Sequence, residues 1–163
     1  MLFRSTLAFS QNKNSETNPK KATPTDWYTL TSLNQDGAFK LVAKANTVAE
    51  ALHKKIAIAV LDAAGNTLLM TAGDGVGPHN LPAARRKAFT ALSTKTATLQ
   101  LSRNAAANPD TINLNSLPEL LLLGGGVPIV LNNTVIGSIG IAGAGGPEQD
   151  HLVAEQTITI INN

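Results

Sequence analysis

The sequence predicts an α/β fold of the α+β kind: a central antiparallel sheet made of hairpins, flanked by helices. Two β-rich pairs and the helical stretches around them carry that prediction. The first pair, Ile56–Leu61 (IAIAVL) and Thr67–Ala72, brackets the turn Asp62–Asn66 (DAAGN). The second, Val127–Leu131 and Thr134–Ile141, brackets Asn132-Asn133. Hairpins exclude a purely parallel sheet, whose strands need long crossover connections.

Each element has its own local reason. From Ala38 to Leu52, apolar residues fall at Leu41, Val42, Ala45, Val48, Ala49 and Leu52, one face of a helix. Ser32 with Gln35 offers a capping box at its start, and Asn34 a simple cap. After the first hairpin, Gly73–Pro78 (GDGVGP) is a glycine-rich loop. A helix follows over Ala83–Ser93, with Pro82 suited to its first turn and Asn80 as a cap. Its Ala84, Ala88, Ala91 and Leu92 form a small-residue stripe that permits close packing on a sheet. Leu99–Ala107 reads as a further helix, ended by Asn108-Pro109-Asp110.

Leu120–Pro147 runs for 28 residues without a charge, a length that invites a membrane reading. Its eight glycines and Pro128 argue against that, since each glycine costs a helix about 1 kcal/mol relative to alanine. A hairpin buried deep in a sheet explains it better. Pro147, Glu148 and Asp150 then open a last helix with a proline and two acids in its first turn. Its end, Thr157–Ile161, is β-branched and by propensity alone could form a strand.

Length and composition bound the function. The chain has 163 residues, 43 % of them apolar and 15 % charged, which describes one folded domain. It has no cysteine, so disulfides, thiolate metal sites and thioether-linked haem are excluded. Aromatics are 4 %, too few for a base-stacking platform. The basic pI of about 9.0 belongs to the N-terminus. Residues 1–25 carry Arg4, Lys13, Lys20 and Lys21 against Glu16, a net of +3 within a chain total of +2, which leaves the rest at −1. A near-neutral domain lacks the electrostatic footprint of a nucleic-acid binder. Residues 1–26 read as a flexible leader whose basic, mildly apolar start resembles a signal remnant; the domain is 27–163.

Two glycine clusters suggest phosphate loops. Gly124–Gly126 precedes a strand, and Gly143–Gly146 lacks a G-x-G-x-x-G, because Glu148 stands at the third glycine's place. Tight turns and close backbone packing account for both. None of His53, His79 and His151 pairs in a metal-ligand spacing. His53 ends a helix beside two lysines, and His151 sits in an acidic helix start; both read as surface residues. Asp62 most simply caps its turn. No serine sits in G-x-S-x-G, and no hydrolase signal is present. His79 is different. It stands in the glycine-rich loop just before Arg85, Arg86 and Lys87, surroundings that suit an anionic ligand with a coordinating centre. Haem is such a ligand: its iron takes an imidazole, its propionates take arginine, and its ring needs an apolar wall. The plainer alternatives are a structural loop histidine and a solvated basic helix face.

The residues also resemble a known family. The run IAIAVLDAAGN with Asp62 and Gly65, the loop GDGVGPHN at 73–80, the helix AARRKAFTA at 83–91, the segment LLLGGGVPIVLNNTVIGSIGIAGAGG at 121–146 and EQD at 148–150 occur in that order. Together they resemble the GlcG/HbpS haem-binding family, which includes the C-terminal domain of PduO-type proteins, over about residues 28–162. The resemblance implies a profilin-like fold, homo-oligomers with octamers among them, and non-covalent haem binding. In some members it further implies haem degradation, iron binding or a role beside a sensor protein. The G-P-H-[NT] version is similar to the exported branch, which implies a periplasmic or secreted protein, with the cytoplasm as alternative. After the basic helix the chain departs from the family, reading Thr94-Lys95-Thr96-Ala97-Thr98, so Thr98 is the matching candidate for a threonine near haem.

The expectation is therefore a haem carrier, scavenger or sensor accessory, with His79 toward the iron and Arg86 toward a propionate. Thr98 completes the cofactor-binding set. No catalytic dyad is evident, so a haem-degrading or small-metabolite enzyme ranks second. A ligand-free structural oligomer is third. With thiolates absent, any haem is held by nitrogen or oxygen ligands, or by a lone methionine such as Met70.

Overall fold

The computed structural model describes Thr23 and residues 26–161. The reading of most of residues 1–26 as a leader lies outside the described residues. The element order is α1 (Gln35–Ala51), β1 (Ala57–Asp62), β2 (Thr67–Ala72), α2 (Asn80–Thr94), α3 (Thr98–Ala107), a 3₁₀ segment (Pro109–Ser116), β3 (Gly126–Leu131), β4 (Thr134–Ala142) and α4 (Pro147–Ile158).

The sheet has four strands in the order β2-β1-β4-β3, every neighbouring pair antiparallel. The two hairpins join through β1 and β4, from Ala57 opposite Ala142 to Asp62 opposite Gly137. Pro128, which cannot donate a ladder hydrogen bond, lies on the edge strand β3. The α+β expectation of hairpins flanked by helices therefore agrees with the structure.

Alternation along the strands makes two cores. Ile58, Val60, Ile139 and Ile141 pack with Leu41, Ala45 and Val48 of α1 and Val153 and Ala154 of α4. On the opposite face, Ala57, Ala59, Leu61 and Ala142 meet Ala84 and Ala88 of α2. The small-residue stripe brings α2 so close to the sheet that a Cβ on Gly140 would strike the Ala84 carbonyl oxygen. No described helix is long and apolar enough to cross a membrane, in line with the hairpin reading of 120–147.

Local choices resolved in physical ways. Asn34, not Ser32, caps α1: its Oδ1 accepts from Gly37 N at 2.9 Å. The Ser32 hydroxyl is engaged elsewhere, accepting from Ala63 N at 3.0 Å. Asn80 is not a cap but the first residue of α2, and its amide donates back to Gly77 O at 3.1 Å. Thr157–Ile161 is no strand. The helix continues through Ile158 into a turn, since Thr157 is fully buried among helical neighbours and its hydroxyl donates to Val153 O. Asp62 caps its turn as expected, accepting from Ala64 N, Asn66 N and Asn66 Nδ2 at 2.8–2.9 Å.

Candidate functional site

A cleft of about 370 Å³ opens where the N-terminus of α2 faces the turn between β4 and α4. One wall is His79, Asn80 and Ala83; the other is Gly143, Gly145, Gly146 and Pro147. Leu123 and Ala142 add apolar surface, and Lys87 and Asp150 form the floor.

His79 occupies the N-cap position of α2 in a helical conformation, and its side chain makes no capping bond. Its ring lies over Gly77, where an added Cβ would come within 3.1–3.2 Å of Cε1 and Nδ1. The missing side chain at 77 is the cradle that lets the imidazole rest there. His79 is exposed and lines the cleft.

The floor is an ion pair. Lys87 Nζ lies 2.7 Å from Asp150 Oδ2 and donates to Ile141 O at 3.0 Å. Asp150 Oδ1 accepts from Ala144 N at 2.7 Å. Lys87 is 1 % exposed, so it is not part of a solvated basic face. Helical geometry explains this: Lys87 shares the inward side of α2 with Ala84, Ala88 and Ala91, while Arg85 turns outward to Glu119 at 3.1 Å. The basic triplet thus divides between floor, flank and surface.

Arg86 is at the flank. Its Nη2 donates to Leu120 O at 2.6 Å, and its Nε is buried with no partner. Thr98 is fully buried at the start of α3; its hydroxyl donates to Leu123 O at 2.8 Å and accepts from Gly126 N at 2.8 Å. Thr90 accepts from Leu121 N at 2.8 Å. These three residues fasten segment 120–126 to α2 and α3, and that segment carries Leu123 into the cleft. The structure therefore places His79 on the cleft itself, and Arg86 and Thr98 behind its wall. Thr90, Lys87 and Asp150 were not singled out by sequence as site residues. A lysine on the alanine stripe of α2 was the available signal for the pair.

A larger cleft, about 600 Å³, lies among the hairpin turns, lined by Ala64, Gly65, Phe89, Leu92, Lys95 and Asn133 and others. It holds no imidazole and no carboxylate, so the smaller cleft is the better chemical candidate. Met70 is half-exposed on the edge strand β2 and lines neither cleft.

The residues fit haem better than a bare ion. Among the described residues no three His, Asp or Glu side chains gather to hold a metal. His79 supplies one ligand, which suits a centre that brings its other ligands with it. The imidazole over Gly77 and the apolar Leu123, Ala83 and Ala142 match an iron and a ring face.

Comparison with known proteins points the same way. The family model for the haem-degrading HbpS-like proteins matches residues 33–159. HbpS of Streptomyces reticuli, solved as a double mutant, is 32 % identical, with a TM-score of 0.80 over 90 % of this chain and 98 % of its own. A PduOC–haem complex is 27 % identical, with a TM-score of 0.71 over 80 % of this chain and 96 % of its own. An uncharacterized 15.0 kDa protein of Citrobacter freundii, from the dhaT-dhaS intergenic region, is 31 % identical over 126 residues, 72 % of this chain and 88 % of its own.

Proposed function

The chain belongs to the HbpS-like haem-binding family, and from that premise we propose that it binds haem non-covalently in the His79 cleft, as a carrier, scavenger or sensor accessory. The single observation that carries this reading is the imidazole of His79, without a hydrogen bond among the described residues and cradled on Gly77 at the mouth of a cleft with an apolar wall. When bound, haem would supply an iron centre able to take an imidazole nitrogen.

The chain's own residues do the rest. His79 offers a ring nitrogen to the iron. Leu123, Ala83 and Ala142 shield one face of the ring from water. Arg86 and Thr98 stand behind the wall and hold it through Leu120 O and Leu123 O, so that Leu123 stays in place. At about 370 Å³ the cleft is near the small end of ligand pockets, so it covers part of a macrocycle and leaves the rest outside. Exposed Ile112, Leu117 and Leu123 favour self-association, which would cover more of the ring. Light scattering with and without haem tests this: a homo-oligomer is expected, and a monomer at all concentrations contradicts it.

Titration with hemin tests the binding itself: a shifted Soret band is expected, and an unchanged one contradicts the proposal. Haem degradation is the second reading, favoured by the matched family's own description. Loss of the Soret band with iron release, on adding a reductant or peroxide to the complex, would establish it. A stable complex under both reagents leaves the chain a carrier.

A further inference from the structure

We infer that Lys54 is the carboxylate-binding cation of the cleft, a role resting on the haem reading above and adding a residue to it. The end of α1 fixes where Lys54 stands. His53 takes a left-handed conformation, φ 55°, and Lys54 N closes onto Ala49 O at 2.9 Å. This is the 6→1 bond that seals a helix C-terminus. It fixes the backbone of Lys54 just before β1.

Register then sets what Lys54 faces. Ala57 pairs with Ala142, and Ile58 with Ile141. Lys54 lies just beyond the end of that ladder, beside Gly145, a lining residue of the cleft. The side chains agree. An added Cβ on Gly145 would meet Lys54 Nζ at 3.6 Å and Lys54 Cε at 3.7 Å as its nearest neighbours. Gly145 has φ +123°, a conformation that side-chain-bearing residues rarely adopt, so the position stays bare and the lysine lies across it.

The charges nearby decide the role. Lys87 is already neutralised by Asp150, and Arg85 is paired with Glu119. Arg86 gives its terminal nitrogen to Leu120 O. Lys54 is exposed and forms no ion pair within 4.0 Å among the described residues. An exposed, flexible ammonium at the rim of an apolar-walled cleft suits the carboxylate end of a ligand whose ring lies inside. In haem that end carries two propionates.

The test compares hemin with its dimethyl ester, in which both carboxylates are blocked. Soret titrations use the full chain as wild type, Lys54→Ala and Lys54→Arg. At low salt Lys54→Ala should weaken hemin binding about three- to fivefold, as for a solvent-exposed ion pair, and Lys54→Arg should retain most of the affinity. The ester should bind wild type and Lys54→Ala equally, and added salt should shrink the difference seen with hemin. Equal hemin affinity in wild type and Lys54→Ala would overturn the inference while leaving the haem reading intact. An equal loss for hemin and ester would also overturn it, by making the role one of packing. No Soret shift in the wild type would remove both.

Discussion

Lys87 Nζ and Asp150 Oδ2 meet 2.7 Å apart with side chains 1 % and 6 % exposed, joining the middle of α2 to the first turn of α4 beneath the cleft. The pair closes a loop of contacts, because Asp150 also receives Ala144 N and Lys87 also donates to Ile141 O. It thereby sets the spacing of the two cleft walls. Removing one member leaves the other charged and buried, which costs about 3–5 kcal/mol. Asp150→Ala should lose that much stability in urea denaturation. Lys87→Met with Asp150→Leu should recover a substantial part of it. Equal stability of Asp150→Ala and wild type would show that the pair is not buried in solution.

Gly140 is where α2 lies on the sheet. A methyl group there would strike the Ala84 carbonyl oxygen and crowd Ala88 N at 2.8 Å. Both obstacles are backbone, so neither can rotate aside. Overpacking typically costs about 1–3 kcal/mol, and a backbone obstacle puts Gly140→Ala at or above the top of that range. Thermal unfolding followed by circular dichroism checks it; an unchanged midpoint would mean that α2 sits farther from the sheet.

Thr98 is a test of the wall. Thr98→Val keeps the shape but removes the bonds to Leu123 O and Gly126 N. Leaving buried backbone groups unpaired costs about 1–3 kcal/mol. The variant should be less stable and should bind hemin more weakly, since Leu123 is no longer held. Loss of stability with unchanged affinity would separate the wall from binding.

Asp62 provides a contrast. It caps the exposed turn at the end of β1, away from the His79 cleft. Asp62→Ala should cost about 1 kcal/mol, by analogy with the loss of a capping side chain, and leave the hemin titration unchanged. A change in hemin affinity would place the ligand near the hairpin turns instead.

The hairpins, the amphipathic face of α1, the Asp62 turn and the proline-led start of α4 were legible because each is dictated by neighbours in sequence. Strand order was not, since the pairing of β1 with β4 links residues as far apart in sequence as Ala57 and Ala142 and rests on packing. The same limit hid the cleft. Arg85-Arg86-Lys87 reads as one basic patch, yet helical rotation sends its members to three environments, and only the fold supplies Asp150 to receive Lys87. Likewise Thr98 stood out by resemblance, while the bonds that define its position come from residues 123 and 126. His79 was legible as a residue, and its freedom from a capping role was not.

The central claim is that His79 presents a haem-binding imidazole. The most direct measurement is a hemin titration of wild type and His79→Ala, read at the Soret band. The account predicts a shifted, saturable band in the wild type, and a displaced band with weaker binding in the variant. A wild type with no shift, or a variant with the same band position and the same affinity, would contradict it.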